Sequence, residues 1–160
     1  MSSTTADLCD EMGDAVRVAE PVFRDYGGVR AFSGEIETLR VFEDNALVRP
    51  TLETAGRGRV LVVDGGGSVR TALLGGQLAA LAVQNGWSGV VIFGAVRDIA
   101  ELGNTRLGVK ALAAAPRRSA KQGKGERGVP VKFAGVEFRP GDRLWADEDG
   151  LLVADGARQA

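Results

Sequence analysis

Two stretches of the chain are apolar at nearly every position, Arg59-Val60-Leu61-Val62-Val63 and Gly89-Val90-Val91-Ile92-Phe93. A strand wetted on one face alternates polar with apolar residues, so an unbroken run predicts a strand covered on both faces, as in a parallel sheet. Between the runs, Leu78, Leu81 and Ala82 recur at helical spacing up to Asn85-Gly86, which should end the helix. Strand, helix, strand in that order predicts a right-handed crossover with parallel strands.

The flanking pattern extends this to an α/β fold. A helix is predicted over Thr5–Met12, capped by Thr4 or Thr5 and stopped at Gly13. A strand over 16–19, a turn at Gly27-Gly28 and a long alternating strand over 31–41 follow. Glu43-Asp44-Asn45 should cap a helix reaching about Thr54, closed by Gly56 and Gly58. A short helix over 99–102 and a strand over 108–113 come next. Beyond a basic, glycine-rich loop over 116–128, short strands are expected at 129–133, Val136–Phe138, 143–146 and 151–153, split by Gly135, Pro140-Gly141 and Asp149-Gly150 turns. Neither an internal repeat nor a linker divides the 160 residues, so one domain is expected.

Composition narrows the chemistry. Twenty Lys and Arg against 21 Asp and Glu give a net charge of -1, so no overall field draws the protein to nucleic acid or membrane. Arg117, Arg118, Lys121 and Lys124 form the one local basic patch, without an aromatic residue to stack a base, and read as a solvated loop. A lone Cys9, no secretion signal and no long apolar span make a cytoplasmic setting the expectation. Histidine is absent, which excludes Ser-His-Asp and Cys-His catalysis, His-ligated zinc and imidazole proton transfer within this chain. Carboxylates, Arg, Lys, backbone amides, water and a bound metal remain.

With those groups, two segments stand out at the carboxyl ends of the predicted parallel strands, where open α/β sheets bind ligands. Gly94-Ala95-Val96-Arg97-Asp98 is read as a turn in which Arg97 holds a carboxylate or enolate oxygen and Asp98 faces a metal. Gly75, Gly76, Gln77 and Leu78 open the crossover helix, where free amides and the helix field suit an anion. Each also has a plain structural reading, helix capping or surface ion pairs for Arg97 and Asp98, a kink or close packing for the glycines. Asp64-Gly65-Gly66-Gly67 lacks the continuation of a nucleotide or phosphate loop and reads as a tight turn.

Phe42-Glu43-Asp44-Asn45-Ala46-Leu47-Val48, Val62-Val63-Asp64-Gly65-Gly66-Gly67-Ser68, Asn85-Gly86-Trp87, Gly94-Ala95-Val96-Arg97-Asp98, Gly135-Val136 and Ala146-Asp147-Glu148-Asp149-Gly150 together resemble the regulator of ribonuclease activity A family over about residues 5–153. The resemblance implies a compact β/β/α swivelling-domain-like fold and a homotrimer. It implies one of two activities. The first is a class II aldolase that cleaves 4-hydroxy-4-methyl-2-oxoglutarate, decarboxylates oxaloacetate and uses Mg²⁺ or Mn²⁺. The second is a non-enzymatic regulator that binds ribonuclease E; a menaquinone methyltransferase label also occurs. Position by position, it implies substrate binding at Gly75, Gly76, Gln77, Leu78 and Arg97 and a metal at Asp98. Aldolase members carry an Asp at the place of Gly76, so a carboxylate is missing here, and Glu126, Glu137, Asp147 and Glu148 are the donors a neighbouring subunit could offer.

Overall fold

The computed structural model describes residues 3–156; residues 1, 2 and 157–160 of the expected single domain lie outside them. The elements are α1 (Thr5–Met12), a short 3-10 turn, β1 (Val16–Val18), β2 (Arg24–Asp25), β3 (Phe32–Arg40), α2 (Val48–Glu53), β4 (Val60–Asp64), β5 (Ala72–Leu74), α3 (Gly76–Gln84), β6 (Gly89–Val96), α4 (Ile99–Gly103), β7 (Gly108–Ala114), β8 (Glu126–Arg127), β9 (Val131–Phe133), β10 (Val136–Phe138), β11 (Arg143–Asp147) and β12 (Gly150–Ala154).

The predicted crossover forms as a parallel core. β3, β4, β6 and β7 run parallel in that order. β5 pairs with the last residues of β6, beyond the point where β4 stops at Asp64. The first half of β3 pairs antiparallel with β11, which continues through β12 to β1. β9 and β10 make a separate hairpin.

The unbroken apolar runs are explained by two cores, one on each face. Leu61 and Val63 point into a cluster with Leu52 of α2, Leu78 and Ala82 of α3 and Leu102 of α4. Val60 and Val62 point the other way, onto Phe133 and Phe138 of the hairpin and Leu144 and Val153 of β11 and β12. The layers are therefore helices, parallel sheet, and antiparallel strands, the expected β/β/α arrangement. On the second face Phe133 stacks on Phe93 and Phe138, with centroids 4.8 and 4.5 Å apart.

α1 carries a capping box: Thr4 Oγ1 accepts the Asp7 N–H and the Asp7 carboxylate accepts the Thr4 N–H. Asp147 ties that helix to β11 by accepting from the Thr5 amide at 2.8 Å and the Thr5 hydroxyl at 2.7 Å. Burial alone would raise the Asp147 carboxyl, but these bonds and those from Asp149 and Gly150 outweigh it and hold the group below its ordinary value.

Three readings are corrected. The cap at Glu43-Asp44-Asn45 does not form: the N-cap of α2 is Leu47, with no side-chain bond, because Glu43 has φ 53 and Asp44 is engaged elsewhere. Gly94-Ala95-Val96 is not turn but the end of β6, where small residues let Ala95 and Val96 pair with β5 and β7. Residues 72–74, adjoining the helix pattern, form β5, and the basic loop contains the two-residue β8.

Candidate active site

β5, β6 and β7 end at one edge of the sheet, and a cavity of about 710 Å³ opens there. Gly75, Gly76, Gln77, Leu78, Arg97 and Asp98 all line it. That volume lies within the usual range for small-molecule pockets, about 300–1,000 Å³. A hollow of about 750 Å³ at the amino-terminal ends of β4 and β6 contains Arg57, Arg59 and Arg143 with Glu35. It lacks a helix N-terminus and lies at the opposite end from where such sheets bind ligands.

β5 ends at Leu74, Gly75 is the extended N-cap of α3, and Gly76 is its first helical residue. At both glycines the space a Cβ would take is occupied by the ends of neighbouring side chains. A Cβ on Gly75 would lie 2.7 Å from Asp98 Oδ2 and 3.3 Å from Arg97 Cγ. A Cβ on Gly76 would collide with the carboxylate of Glu101. With no side chains there, Asp98 Oδ2 accepts the Gly76 N–H at 2.9 Å. The N–H groups of Gln77 and Leu78, which helix geometry leaves without an acceptor inside α3, remain at the cavity.

Arg97 follows directly on β6. Its amide donates to Leu74 O at 3.0 Å, fixing the backbone against β5, and Nη1 reaches Pro116 O at 3.4 Å. Among the described residues it is in no ion pair, so the surface-pair reading of Arg97 does not hold. Asp98 sits in the left-handed region, φ 59 and ψ 45, and is the N-cap of α4 without a side-chain bond to that helix. Left-handed backbone is uncommon outside glycine and is tolerated best by Asn and Asp. Here it turns the carboxylate away from its own helix and across to α3, so the capping reading is half right: Asp98 caps the other helix.

Sequence reasoning missed further residues. Asn45, Arg49 and Glu53 come from the α2 side, Glu101 from α4, and Arg118 and Lys121 from the loop read as solvated. The clustering of basic residues over 116–128 was the available signal, but not its destination. Asp44 brings that loop in: its buried carboxylate accepts N–H groups from Ala46 at 3.0 Å and Gln122 at 2.9 Å, with Gly123 and Lys124 at 3.4 Å. Burial pushes the Asp44 carboxyl up, yet these amides prevail and hold it below its ordinary value. Four cations, Arg49, Arg97, Arg118 and Lys121, thus meet three carboxylates, Glu53, Asp98 and Glu101, around one cavity.

For a divalent cation, the described residues contain no group of three or more carboxylate, thiol or imidazole ligands. Mg²⁺ does not need one, since it keeps waters and takes one or two carboxylates plus substrate oxygens. Asp98 fits that mode, with one oxygen on Gly76 N–H and the other without a protein donor among the described residues.

The same architecture recurs in known proteins. Relatives from Alkalilimnicola ehrlichii and Deinococcus radiodurans, whose names assign them provisionally to 4-hydroxy-4-methyl-2-oxoglutarate aldolase, are 57% and 60% identical to this chain. The first alignment covers 96% of each protein, the second 93% of this chain and 92% of the relative. The structure of the RNA-processing inhibitor RraA from Thermus thermophilis is 54% identical, with a TM-score of 0.94 over 100% of this chain and 97% of that one. A Geobacillus kaustophilus structure titled S-adenosylmethionine:2-dimethylmenaquinone methyltransferase is 50% identical, with a TM-score of 0.95 over 99% and 100%. The model of the RraA-like family, described as Aldolase/RraA, matches residues 5–153, and the chain belongs to that family.

Proposed function

We propose that this protein is a divalent-metal-dependent class II aldolase that cleaves 4-hydroxy-4-methyl-2-oxoglutarate to two pyruvates and decarboxylates oxaloacetate. The observation that carries this reading is one cavity holding the Arg97 guanidinium, the Asp98 carboxylate and the open N-terminus of α3. Provisionally named aldolase relatives at 57% and 60% identity support it.

The amides of Gln77 and Leu78 and the guanidinium of Arg97 bind the carboxylate of the 2-oxo acid. Asp98 holds Mg²⁺ or Mn²⁺, which when bound supplies Lewis acidity to the keto oxygen. Breaking the C3–C4 bond leaves its electron pair as an enolate on the departing pyruvate unit, while C4 becomes a ketone and its hydroxyl loses a proton. Arg97 faces the charge that develops. Because the chain has no histidine, a carboxylate or water receives that proton, and a proton returned from such a group to C3 of the enolate gives the second pyruvate. Arg49, Arg118 and Lys121 supply the positive charge that the substrate's second carboxylate requires. A homotrimer in the cytoplasm completes the proposal; no helix among the described residues is long and apolar enough to cross a membrane.

The test is pyruvate release from both substrates, with Mg²⁺ or Mn²⁺ and with chelator. Turnover should vanish with chelator, and Arg97→Ala should lower kcat/KM about a hundredfold or more, the effect of losing ~2.7–4 kcal/mol of transition-state stabilisation. Turnover indifferent to both changes removes the aldolase reading.

The 54% identity to an RNA-processing inhibitor favours a second reading, a protein that binds ribonuclease E without catalysis. Saturable capture of ribonuclease E by a protein inert towards both 2-oxo acids would establish it instead.

A further inference from the structure

The hollow at the amino-terminal ends of β4 and β6 holds positive charge that the described residues leave unanswered. Arg57 and Arg59 come from the turn before β4 and Arg143 from the start of β11, with Glu35 of β3 as the one carboxylate among the described residues that line it. Arg59 is built in: it donates to Gly56 O at 3.1 Å and Ala55 O at 2.9 Å, stands 3.8 Å from Glu37, and lies over the Trp87 ring at 4.7 Å. Arg57 and Arg143 are not. Among the described residues neither guanidinium has a hydrogen bond or an ion pair; Arg143 lies over the Trp145 ring at 5.8 Å, and Glu35, its register partner on β3, forms no ion pair with it.

Arg57 also holds an unfavourable backbone. Its φ is 55 and that of Gly58 is 77, in a turn clamped by Gly56 N–H to Asn85 O at 2.7 Å and Gly58 N–H to Gly86 O at 2.8 Å. Two successive left-handed residues favour glycine, asparagine or aspartate at both places. A long cationic side chain at the first is strain without a contact inside the chain to offset it, which points to a contact outside.

β3 separates β11 from β4, and adjacent strands lie about 4.8 Å apart, so Arg143 starts roughly 10 Å from the Arg57 turn. That spacing suits two anionic groups rather than one. No aromatic side chain is among the described residues lining the hollow, so a nucleic acid base finds no stacking surface there. The Glu35 carboxylate, on the strand between the cations, opposes a continuous phosphate backbone while offering an acceptor to a peptide N–H.

We infer that this face is a docking surface for an acidic segment of a partner protein, whose carboxylates pair with Arg57 and Arg143 beside the fixed cation of Arg59. Arginine suits the task, since its planar fork meets a carboxylate through two hydrogen bonds. The inference is independent of the aldolase reading, because the hollow lies at the other end of the sheet from Arg97 and Asp98.

The experiment follows the fluorescence anisotropy of a labelled peptide of alternating Glu and Ser, long enough to span the hollow, titrated with the full-length protein at low ionic strength. Binding should saturate and weaken as salt is added. Arg57→Ala combined with Arg143→Ala should weaken it at least about tenfold, the loss expected of two charge-assisted contacts. Arg97→Ala, a cation removed from the far cavity, should alter it less than about twofold. The decisive variant is Arg57→Gly, which puts the residue that a left-handed backbone favours at φ 55: its melting temperature should equal or exceed the parent's while peptide binding falls. No saturable binding by the parent, equal binding by the double variant, or an oligonucleotide of the same length bound more tightly than the peptide overturns the inference. So does a lower melting temperature accompanying weaker binding in Arg57→Gly, since the turn and not the guanidinium would then be what the peptide needs.

Discussion

Asp44 shows how one buried carboxylate can organise a site it does not enter. It gathers backbone amides from Ala46 and from residues 122–124, nearly 80 positions away, and a backbone bridge from Asp44 to Ala120 reinforces the junction. Arg118 and Lys121 reach the cavity because of it. Replacing Asp44 by Ala leaves those donors unsatisfied at a buried position, which costs about 1–3 kcal/mol. The expected result is a melting temperature lower by several degrees and a KM raised more than kcat falls. The sign of the pH effect follows from the carboxyl's lowered value. A group whose folded pKa lies below its unfolded one stabilises the fold above the unfolded pKa, and that contribution is lost as pH falls through the folded value. Asp147 acts in the same direction. Thermal unfolding followed from pH 7 down to pH 3 should therefore show a loss of stability beginning near the ordinary carboxylate range, shallower in Asp44→Ala than in the parent. Parallel curves would contradict this assignment.

At the scale of elements, what could be read in the sequence was what local pattern determines. β4 and β6 were legible because both faces are covered and both cores need apolar partners, and α1 because a capping threonine precedes it and Gly13 ends it. Of the site, Gly75 to Leu78, Arg97 and Asp98 could be placed at strand ends and do share a cavity. The rest depends on contacts between distant segments. No window around Asp44 reveals that its acceptors serve residues 122–124, and nothing near Gly76 reveals Glu101. β5 hid because three residues are too few to alternate, and β6 was cut short because Gly94 interrupts the apolar run shortly before the polar Arg97-Asp98. The glycines of the sheet carry a testable consequence. Gly89 and Gly108 pair across β6 and β7, and the ring of Phe32 from β3 lies over both. A Cβ at Gly89 would meet Phe32 Cε2 at 2.5 Å, and one at Gly108 would press on the same ring. An aromatic ring in a core cannot swing aside as a surface lysine does. Gly108→Ala should cost about 1–3 kcal/mol in urea unfolding, the usual effect of overpacking. Phe32→Leu in the same background should return part of it; if Gly108→Ala alone is neutral, the ring is not the constraint.

For the whole molecule, near-neutral net charge and a locally cationic cavity act together. With one negative charge overall, the attraction that the proposed anionic substrate needs has to come from the cavity's four cations, which are set against three carboxylates. A bound cation shifts that local balance further towards the dianionic substrate, so metal and substrate should each strengthen the other's binding. Three copies of a 16.7 kDa chain give about 50 kDa, and light scattering at micromolar protein should report that mass if the trimer forms. Ligand binding to a folded protein stabilises it by about 2.7 kcal/mol at a hundred times Kd, and for a domain of this size each kcal/mol moves the melting temperature by about 2–4 °C. Mn²⁺ at saturation should therefore raise the melting temperature by about 5–11 °C, and oxalate, a stand-in for the enolate of pyruvate, should add to the shift only when Mn²⁺ is present. In Arg97→Ala the Mn²⁺ shift should persist while the oxalate increment shrinks, because in the proposed mechanism the cation belongs to Asp98 and the guanidinium holds the anion together with the Gln77 and Leu78 amides. An oxalate shift that needs no metal would mean that the cationic cavity alone binds the anion, and the cooperation between Asp98 and Arg97 on which the aldolase chemistry depends would be absent.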